Sequence, residues 1–298
     1  MYKHILLPLD GSRLAEQVVP HARQVAKASK AKVTLLNVVN PVDARLSNEA
    51  IEKMLQSERT ALEQHLKKTE EVFRGQGIET DSVIVIGNPA DEIVRAVTDR
   101  KCDLVTMATR GHSGIGRWMF GSTADKVLHA VSSPLLLIRP ADQAPELSER
   151  PIQRILVALD GSELAESVLP GVEDVARTMQ LEIALIRVVP ISTFAMASME
   201  PYAYDPRIDE ALTKAAADYL DAMAKRLEQK GLSATATKVT RGDPAGDIVD
   251  FSRAKPGSLI AMSTHGRSGV GRWVLGSVAD RVVRQGGEPV LVFPPPAA

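Results

Sequence analysis

The sequence predicts an α/β protein built from two tandem, doubly wound, five-stranded parallel sheets of Rossmann-like type. Two observations lead to this prediction. Short apolar runs alternate with amphipathic helical segments, which is typical of right-handed crossovers in a parallel sheet. The pattern is also written twice, because residues 3–13 match residues 153–163 and a glycine loop at 106–123 returns at 261–278. The chain is therefore an internal repeat of one domain.

A length of 298 residues suits two domains of about 150 residues each. We place the first domain at residues 1–140, a polar, proline-flanked linker at 141–152 and the second domain at 153–298. The second copy is five residues longer than the first. Most of this insertion falls in the Met-, Tyr- and Pro-bearing stretch 191–206.

The first strand and its turn open each copy. Ile5–Leu9 is an apolar run suited to a buried parallel strand. Asp10-Gly11-Ser12 then turns the chain, and Ser12 is a candidate N-cap for the next helix. Pro20 falls inside that helical pattern, so we expect a kink there, at a cost of about 3 kcal/mol. Pro170 repeats this feature in the second copy.

The rest of the first copy alternates strand and helix. Apolar and β-branched runs predict strands at Lys32–Val39, Ser82–Ile86, Leu104–Ala108 and Leu135–Ile138. Helical periodicity and capping residues predict helices at Ser47–Arg74, Pro89–Arg100 and from Gly121 to about Val131. In such a sheet, ligands bind where the carboxyl ends of neighbouring strands meet. Asp10, Val38 and Met107 all lie at such ends, so we expect them to share one pocket.

The glycine loop has the parts of a phosphate cradle. Nine residues separate Gly111 from the pair Gly121-Ser122, and nine separate Gly266 from Gly276-Ser277. Glycine lets backbone N–H groups approach a ligand closely. The helix that follows offers unpaired N–H donors and the positive end of its dipole.

These motifs resemble the universal stress protein family in its tandem two-domain form. Nucleotide-binding members of that family carry Gly-x-x-Gly, nine residues, and then Gly-Ser/Thr. The resemblance covers both copies from first to fifth strand and includes the Asp-Gly-Ser turn. The first motif glycine is replaced by Ala108 in one copy and Ser263 in the other. The resemblance implies the universal stress protein fold and an adenine nucleotide at each loop.

The resemblance also implies roles for individual residues. Asp10 and Asp160 would accept hydrogen bonds from the nucleoside, and Val38 and Val188 would offer main-chain groups to the adenine edge. Our own inference adds that the guanidinium groups of Arg117 and Arg272, one in each loop, pair with a phosphate. The remaining nucleotide-binding candidates are Met107, Ala108, Gly111, Gly121, Ser122, Thr123, Met262, Ser263, Gly266, Gly276, Ser277 and Val278.

Plainer interpretations remain open for several of these residues. Asp10 and Asp160 also suit simple turn formation with the Gly-Ser that follows. Arg117 and Arg272 also fit as solvated loop charges, and the tryptophans that follow them as residues packing the loop onto the domain. Cys102 precedes an apolar strand and fits a buried small hydrophobic residue better than a reactive thiol.

Composition excludes several classes of partner. The net charge of −1 argues against nucleic acid or an anionic membrane as a bulk electrostatic partner. No apolar run approaches the roughly 20 residues of a membrane span. With one cysteine, no intrachain disulfide is expected. The N-terminal stretch lacks the long apolar core of a signal peptide, so we expect a cytoplasmic protein.

The sequence supports three functional hypotheses. The first is a nucleotide-responsive stress factor that binds one ATP per copy, with or without Mg²⁺, and hydrolyses it slowly at most. The second keeps the fold, leaves the loops empty and serves protein partners, which Ala108 and Ser263 favour. The third is an ATPase or nucleotidyl-transfer enzyme, although no catalytic constellation is visible.

The apolar fifth strands predict an assembly. Leu135–Ile138 and Val290–Phe293 would each expose a sheet edge. We expect them to pair within the chain about a pseudo-twofold axis, and a homodimer is a further assembly that the pattern allows. The insert around Phe194 and Tyr204 fits either a lid over the second site or an interface.

Overall fold

The computed structural model describes residues 1–40, 48–111, 121–141, 151–190, 206–264 and 275–295, with backbone alone for 48–58, 206, 235 and 236. The chain divides into two units, Met1–Pro151 and Ile152–Ala298. No helix in the described parts of the chain has the length and apolarity needed to cross a membrane.

The first unit is a parallel sheet flanked by helices. Its strands lie in the order β3-β2-β1-β4-β5, and each neighbouring pair is parallel. The strands are β1 His4–Pro8, β2 Lys32–Val39, β3 Thr80–Ile86, β4 Leu104–Ala108 and β5 Leu135–Ile138. The helices are α1 Arg13–Glu16, α2 Val19–Ser29, α3 Asn48–Arg74, α4 Pro89–Asp99 and α5 Ser122–Ala130.

The second unit repeats this topology with strands in the order β8-β7-β6-β9-β10, again all parallel. The strands are β6 Arg154–Ala158, β7 Glu182–Pro190, β8 Ala234–Gly242, β9 Ser258–Ser263 and β10 Val290–Phe293. The helices are α6 Glu163–Glu166, α7 Leu169–Met179, α8 Pro206–Gln229, α9 Pro244–Arg253 and α10 Ser277–Gln285. The predicted fold class, a tandem parallel α/β repeat, is confirmed.

The expected proline kink is wrong in both copies. The helical stretch after the first turn is interrupted, so α1 and α2 are separate helices and Pro20 lies in the first turn of α2. Pro170 has the same place in α7. Proline costs little in a first helical turn because its missing N–H would have no intrahelical partner there. The predicted N-cap is confirmed, since the Ser12 hydroxyl accepts from the Ala15 N–H at 3.1 Å.

The single cysteine is buried. Cys102 is free and 4% exposed, and burial raises the pKa of its thiol to about 11. Because the thiolate is the reactive form, we expect no reaction of the native protein with a disulfide reagent at pH 8 and one equivalent reacting after denaturation. Absorbance at the wavelength of the released thiolate measures this. Release of one equivalent within minutes from the native protein would contradict the expectation.

Candidate functional site

A cavity of about 440 Å³ opens in the second unit at the carboxyl ends of β6, β7 and β9. This volume lies in the range of small-molecule sites, and the location is the one at which parallel sheets bind ligands. Four helices complete the wall, with Ala165 from α6 among the residues that line it. Leu212 and Ala215 come from α8, Ile248 comes from α9, and Ser277 opens α10.

The cavity gathers the residues that the sequence selected from the second copy. Seven of the nine candidates line it, and they come from four separate segments of the chain. These seven are Asp160, Val188, Met262, Ser263, Gly276, Ser277 and Val278. The other two, Gly266 and Arg272, lie outside the described residues, as do the tryptophans and histidines of both loops and the insert 191–205.

The N-terminus of α10 faces this cavity without a side-chain cap. Gly276 is the N-cap, and as a glycine it supplies no side-chain cap to the first turn. The first intrahelical bond is from the Asp280 N–H to the Gly276 carbonyl at 2.9 Å. The N–H groups of Ser277, Val278 and Ala279 therefore have no acceptor within the helix, and all three residues line the cavity.

The glycine of the pair does not supply a free donor. The Gly276 N–H donates to the Thr264 carbonyl at 2.7 Å, and the Gly121 N–H donates to the Thr109 carbonyl at 2.8 Å. These bonds join the residue before each helix to the chain just after the preceding strand. Among the described residues of these two segments, donors for a phosphate therefore come from those after each glycine and not from the glycine itself.

Asp160 serves the turn and also lines the cavity. Its Oδ1 accepts from the Ser162 N–H at 2.9 Å and from the Ser162 hydroxyl at 2.7 Å. Gly161 between them has a φ of +85°, which favours glycine. The Asp10 Oδ1 likewise accepts from the Ser12 N–H at 2.9 Å. The turn-forming interpretation is thus confirmed, and the carboxylate is held in one orientation at the cavity wall.

The first unit brings two candidates into direct contact. A Cβ on Gly111, three residues after the end of β4, would lie 2.1 Å from the Asp10 Oδ2, so a larger residue there would require the Asp10 side chain to move. Helix α5 also begins at a glycine, Gly121, without a side-chain cap, ahead of Ser122 and Thr123. Val38 pairs with Val85 near the end of β2.

The other first-copy candidates lie at the end of β4 or beyond it. Met107 is buried, and Ala108 is half-buried at the last position of the strand. Arg117 lies outside the described residues.

Comparison with known proteins shows the family of the chain. The model of the universal stress protein family matches residues 1–139 and, separately, residues 151–294. The chain belongs to that family. It carries the family's domain twice, so the predicted tandem form is confirmed.

Individual relatives match either the whole chain or one of its two copies. A universal stress protein of Mycolicibacterium smegmatis is 25% identical over 297 residues, which cover 98% of this chain and 97% of that protein. One from Methanocaldococcus jannaschii is 31% identical over 144 residues, which are 47% of this chain and 83% of that protein. The crystal structure of a universal stress protein from Archaeoglobus fulgidus matches with a TM-score of 0.73 and 20% identity, covering 97% of each chain.

Sequence reasoning missed one charged residue of the cavity in this universal stress protein's second unit. Arg187, on β7, lines the cavity, and its Cζ lies 4.6 Å from the centre of the Tyr219 ring on α8. Asn37 occupies the matching position in the first copy, 150 residues earlier. Comparison of the two copies position by position would have shown this difference.

Tyr219 is itself held by a hydrogen bond to Glu166. Its hydroxyl donates to the Glu166 Oε1 at 3.0 Å, and burial together with this carboxylate raises the pKa of the phenol. The phenol therefore stays protonated at neutral pH. In the first copy a His65–Glu16 pair, with Nε2 and Oε1 2.7 Å apart, joins the corresponding helices.

The described parts of this universal stress protein hold no cluster of three or more His, Cys, Asp or Glu side chains placed to ligate a metal ion. Among the described side chains that line the cavity, Asp160 and Arg187 are the charged ones.

Proposed function

We propose that this universal stress protein binds ATP, or a related adenine nucleotide, in the second unit's cavity and acts as a nucleotide-responsive stress factor. One observation carries the proposal. A cavity of about 440 Å³ lies at the carboxyl ends of β6, β7 and β9, and the N-terminus of α10, which has no side-chain cap, faces into it. Such helix starts bind phosphate through free N–H groups and the helix dipole.

The residues present fit the nucleotide. The N–H groups of Ser277, Val278 and Ala279 suit the phosphates, and the oriented carboxylate of Asp160 suits ribose hydroxyls or the adenine amine. Main-chain groups at Val188 suit the adenine edge. Ser263, which replaces a motif glycine, lines the cavity without filling it. A Mg²⁺ ion would be held mainly by the nucleotide's own phosphates.

Hydrolysis should be slow. A water attacking a phosphate needs a base in reach. Asp160 is the carboxylate among the described cavity residues, and its Oδ1 already accepts two bonds from Ser162. We therefore infer a binding protein, with weak ATPase activity at most.

The first unit favours a second candidate function for that half. Gly111 packs against the Asp10 carboxylate, and Ala108 replaces the motif glycine. These two features support the interaction-module hypothesis, in which the unit serves a protein partner and takes no nucleotide. The stoichiometry of ATP binding separates one filled site from two.

A charge placed at each helix start tests the proposal. Ser277→Asp adds a carboxylate to the first turn of α10, where it stabilises the helix but repels phosphate. We expect calorimetric titration to show ATP binding to the second unit weakened at least tenfold, with adenosine binding unchanged. Ser122→Asp is the matched control, since it makes the same change at the start of α5.

Two results would contradict the proposal. Wild-type protein that shows no saturable heat at millimolar ATP would leave the cavity without a nucleotide. Equal weakening of ATP and adenosine by Ser277→Asp would place the phosphates elsewhere.

A further inference from the structure

Arg187 is held flat at the wall of the second cavity. Its guanidinium stacks on the Tyr219 ring at 4.6 Å, which is a favourable cation–π distance. A Cβ on Gly161 would lie 3.0–3.1 Å from its Nη2, Cζ and Nη1. These near-equal distances mean that the glycine backbone approaches a face of the guanidinium and not its edge.

The guanidinium edge of Arg187 makes no bond with the described residues. The N–H donors of arginine point outward in the plane of the group. Within the described parts of the chain Arg187 makes the stacking contact but no hydrogen bond or ion pair. The aromatic support removes much of the rotamer freedom that an arginine normally loses on binding an anion.

The first copy lacks this cation. Asn37 is 3% exposed, and its Nδ2 donates to the Leu9 carbonyl at 2.7 Å. The amide is therefore used inside its own unit. His65 stands at the position that corresponds to Tyr219, and it pairs with Glu16. The two units thus differ in charge at the same place beside the Asp turn.

We propose that Arg187 contacts the phosphate part of the nucleotide in the second cavity and makes that site the tighter of the two. This inference rests on the proposed function and adds a specificity-determining residue to it. A bidentate guanidinium–phosphate contact is strong and directional, and partial removal from water strengthens it further. The second site should therefore prefer ATP over adenosine by a larger factor than the first.

Calorimetric titration of Arg187→Asn, which copies the first unit, tests this. We measure ATP and adenosine in the Ser122→Asp background, so that the second site dominates the heat. Arg187→Asn should weaken ATP binding about tenfold, leave adenosine binding unchanged and reduce the salt dependence of ATP binding. Arg187→Lys should fall between, because it keeps the charge but not the planar fork. Lys225→Gln removes one charge from an exposed position of α8 and should change nothing.

The outcomes separate the inference from the function beneath it. If the parent binds ATP tightly and Arg187→Asn binds it equally tightly, the role of Arg187 is overturned and the proposed function stands. Equal loss of ATP and adenosine also overturns it, because that result assigns Arg187 to packing. Absence of ATP binding by the parent overturns both. Thermal melting of each variant checks that it is folded.

Discussion

Phe73→Ala should lower the free energy of unfolding of the first unit by about 3–5 kcal/mol. Phe73 is 0% exposed and lies near the C-terminus of α3. Its backbone carbonyl accepts from the Gln76 and Ile78 N–H groups at 3.0 and 3.2 Å, so the residue lies where the chain turns from α3 towards β3. Truncation removes apolar contact and leaves a cavity that the sheet cannot close. Urea denaturation followed by circular dichroism measures the loss.

The adjacent residue provides the control. Val72 is on the same helical turn and is 42% exposed. Val72→Ala should shift the free energy of unfolding by no more than about 0.5 kcal/mol, because little apolar surface returns to water. A loss below about 1 kcal/mol for Phe73→Ala, or equal losses at both positions, would show that α3 is not fixed to the sheet through this ring.

The fold could be predicted because local pattern and global topology agree. Strand bounds at Lys32–Val39, Leu104–Ala108 and Leu135–Ile138 match the structure to the residue. Buried parallel strands read as short continuous apolar runs, and helices between them keep their 3.6-residue period. The repeat then doubled the evidence for every element.

The proline error came from a competing local rule. The apolar spacing from Ala15 to Ala26 continues as if one helix ran through. Periodicity reports which face is buried and not whether the backbone bonds are continuous. Proline at the start of a new helix satisfies both the pattern and the missing N–H.

The cavity's charge could not be predicted from motifs. Arg187 and Tyr219 are 32 positions apart and belong to a strand and a helix with no shared signature. Their contact depends on the angle at which α8 lies on the sheet, which no spacing rule encodes. The same holds for the Gly276 N–H, because no sequence motif predicts its bond to the Thr264 carbonyl.

The two copies therefore share their strands and turns but differ in the side chains near the carboxyl ends of the strands. Asp10 and Asp160 form the same turn, yet Asn37 faces inward where Arg187 lines a cavity. Buried strands constrain both copies equally, while side chains near the carboxyl ends are free to differ. Two sites of unequal affinity would let one chain respond over a wider range of nucleotide concentration than two equal sites.

His21 should make the first unit sensitive to mild acid. Burial lowers the pKa of His21 to about 4, and its Nδ1 is buried with no hydrogen-bond partner in the described structure. The unfolded chain has the ordinary pKa of 6.5, so it binds the proton more readily than the folded chain. The contribution of neutral His21 to the free energy of unfolding is therefore fully present above pH 6.5 and is lost as the pH falls towards 4. The loss should amount to about 2–3 kcal/mol. Unfolding free energies measured in urea from pH 7.5 to 4 record it.

His21→Leu isolates this effect, because leucine keeps the apolar volume and cannot titrate. Its unfolding free energy should be nearly flat between pH 6.5 and 4.5, where the wild type declines. Asp81 and Asp243 cannot imitate the decline. The pKa of each carboxyl is lowered below 3.8 despite some burial. For Asp81 the cause is hydrogen bonding from Thr34 and Lys32, and for Asp243 it is hydrogen bonding from Arg281. Protonation of these two carboxylates therefore destabilises the fold at lower pH than protonation of His21 does. The second unit carries Gly171 at this position, with the Phe293 ring against it, and lacks the titrating group. If wild type and His21→Leu decline in parallel, the histidine is hydrated in the folded state and the acid sensitivity arises elsewhere.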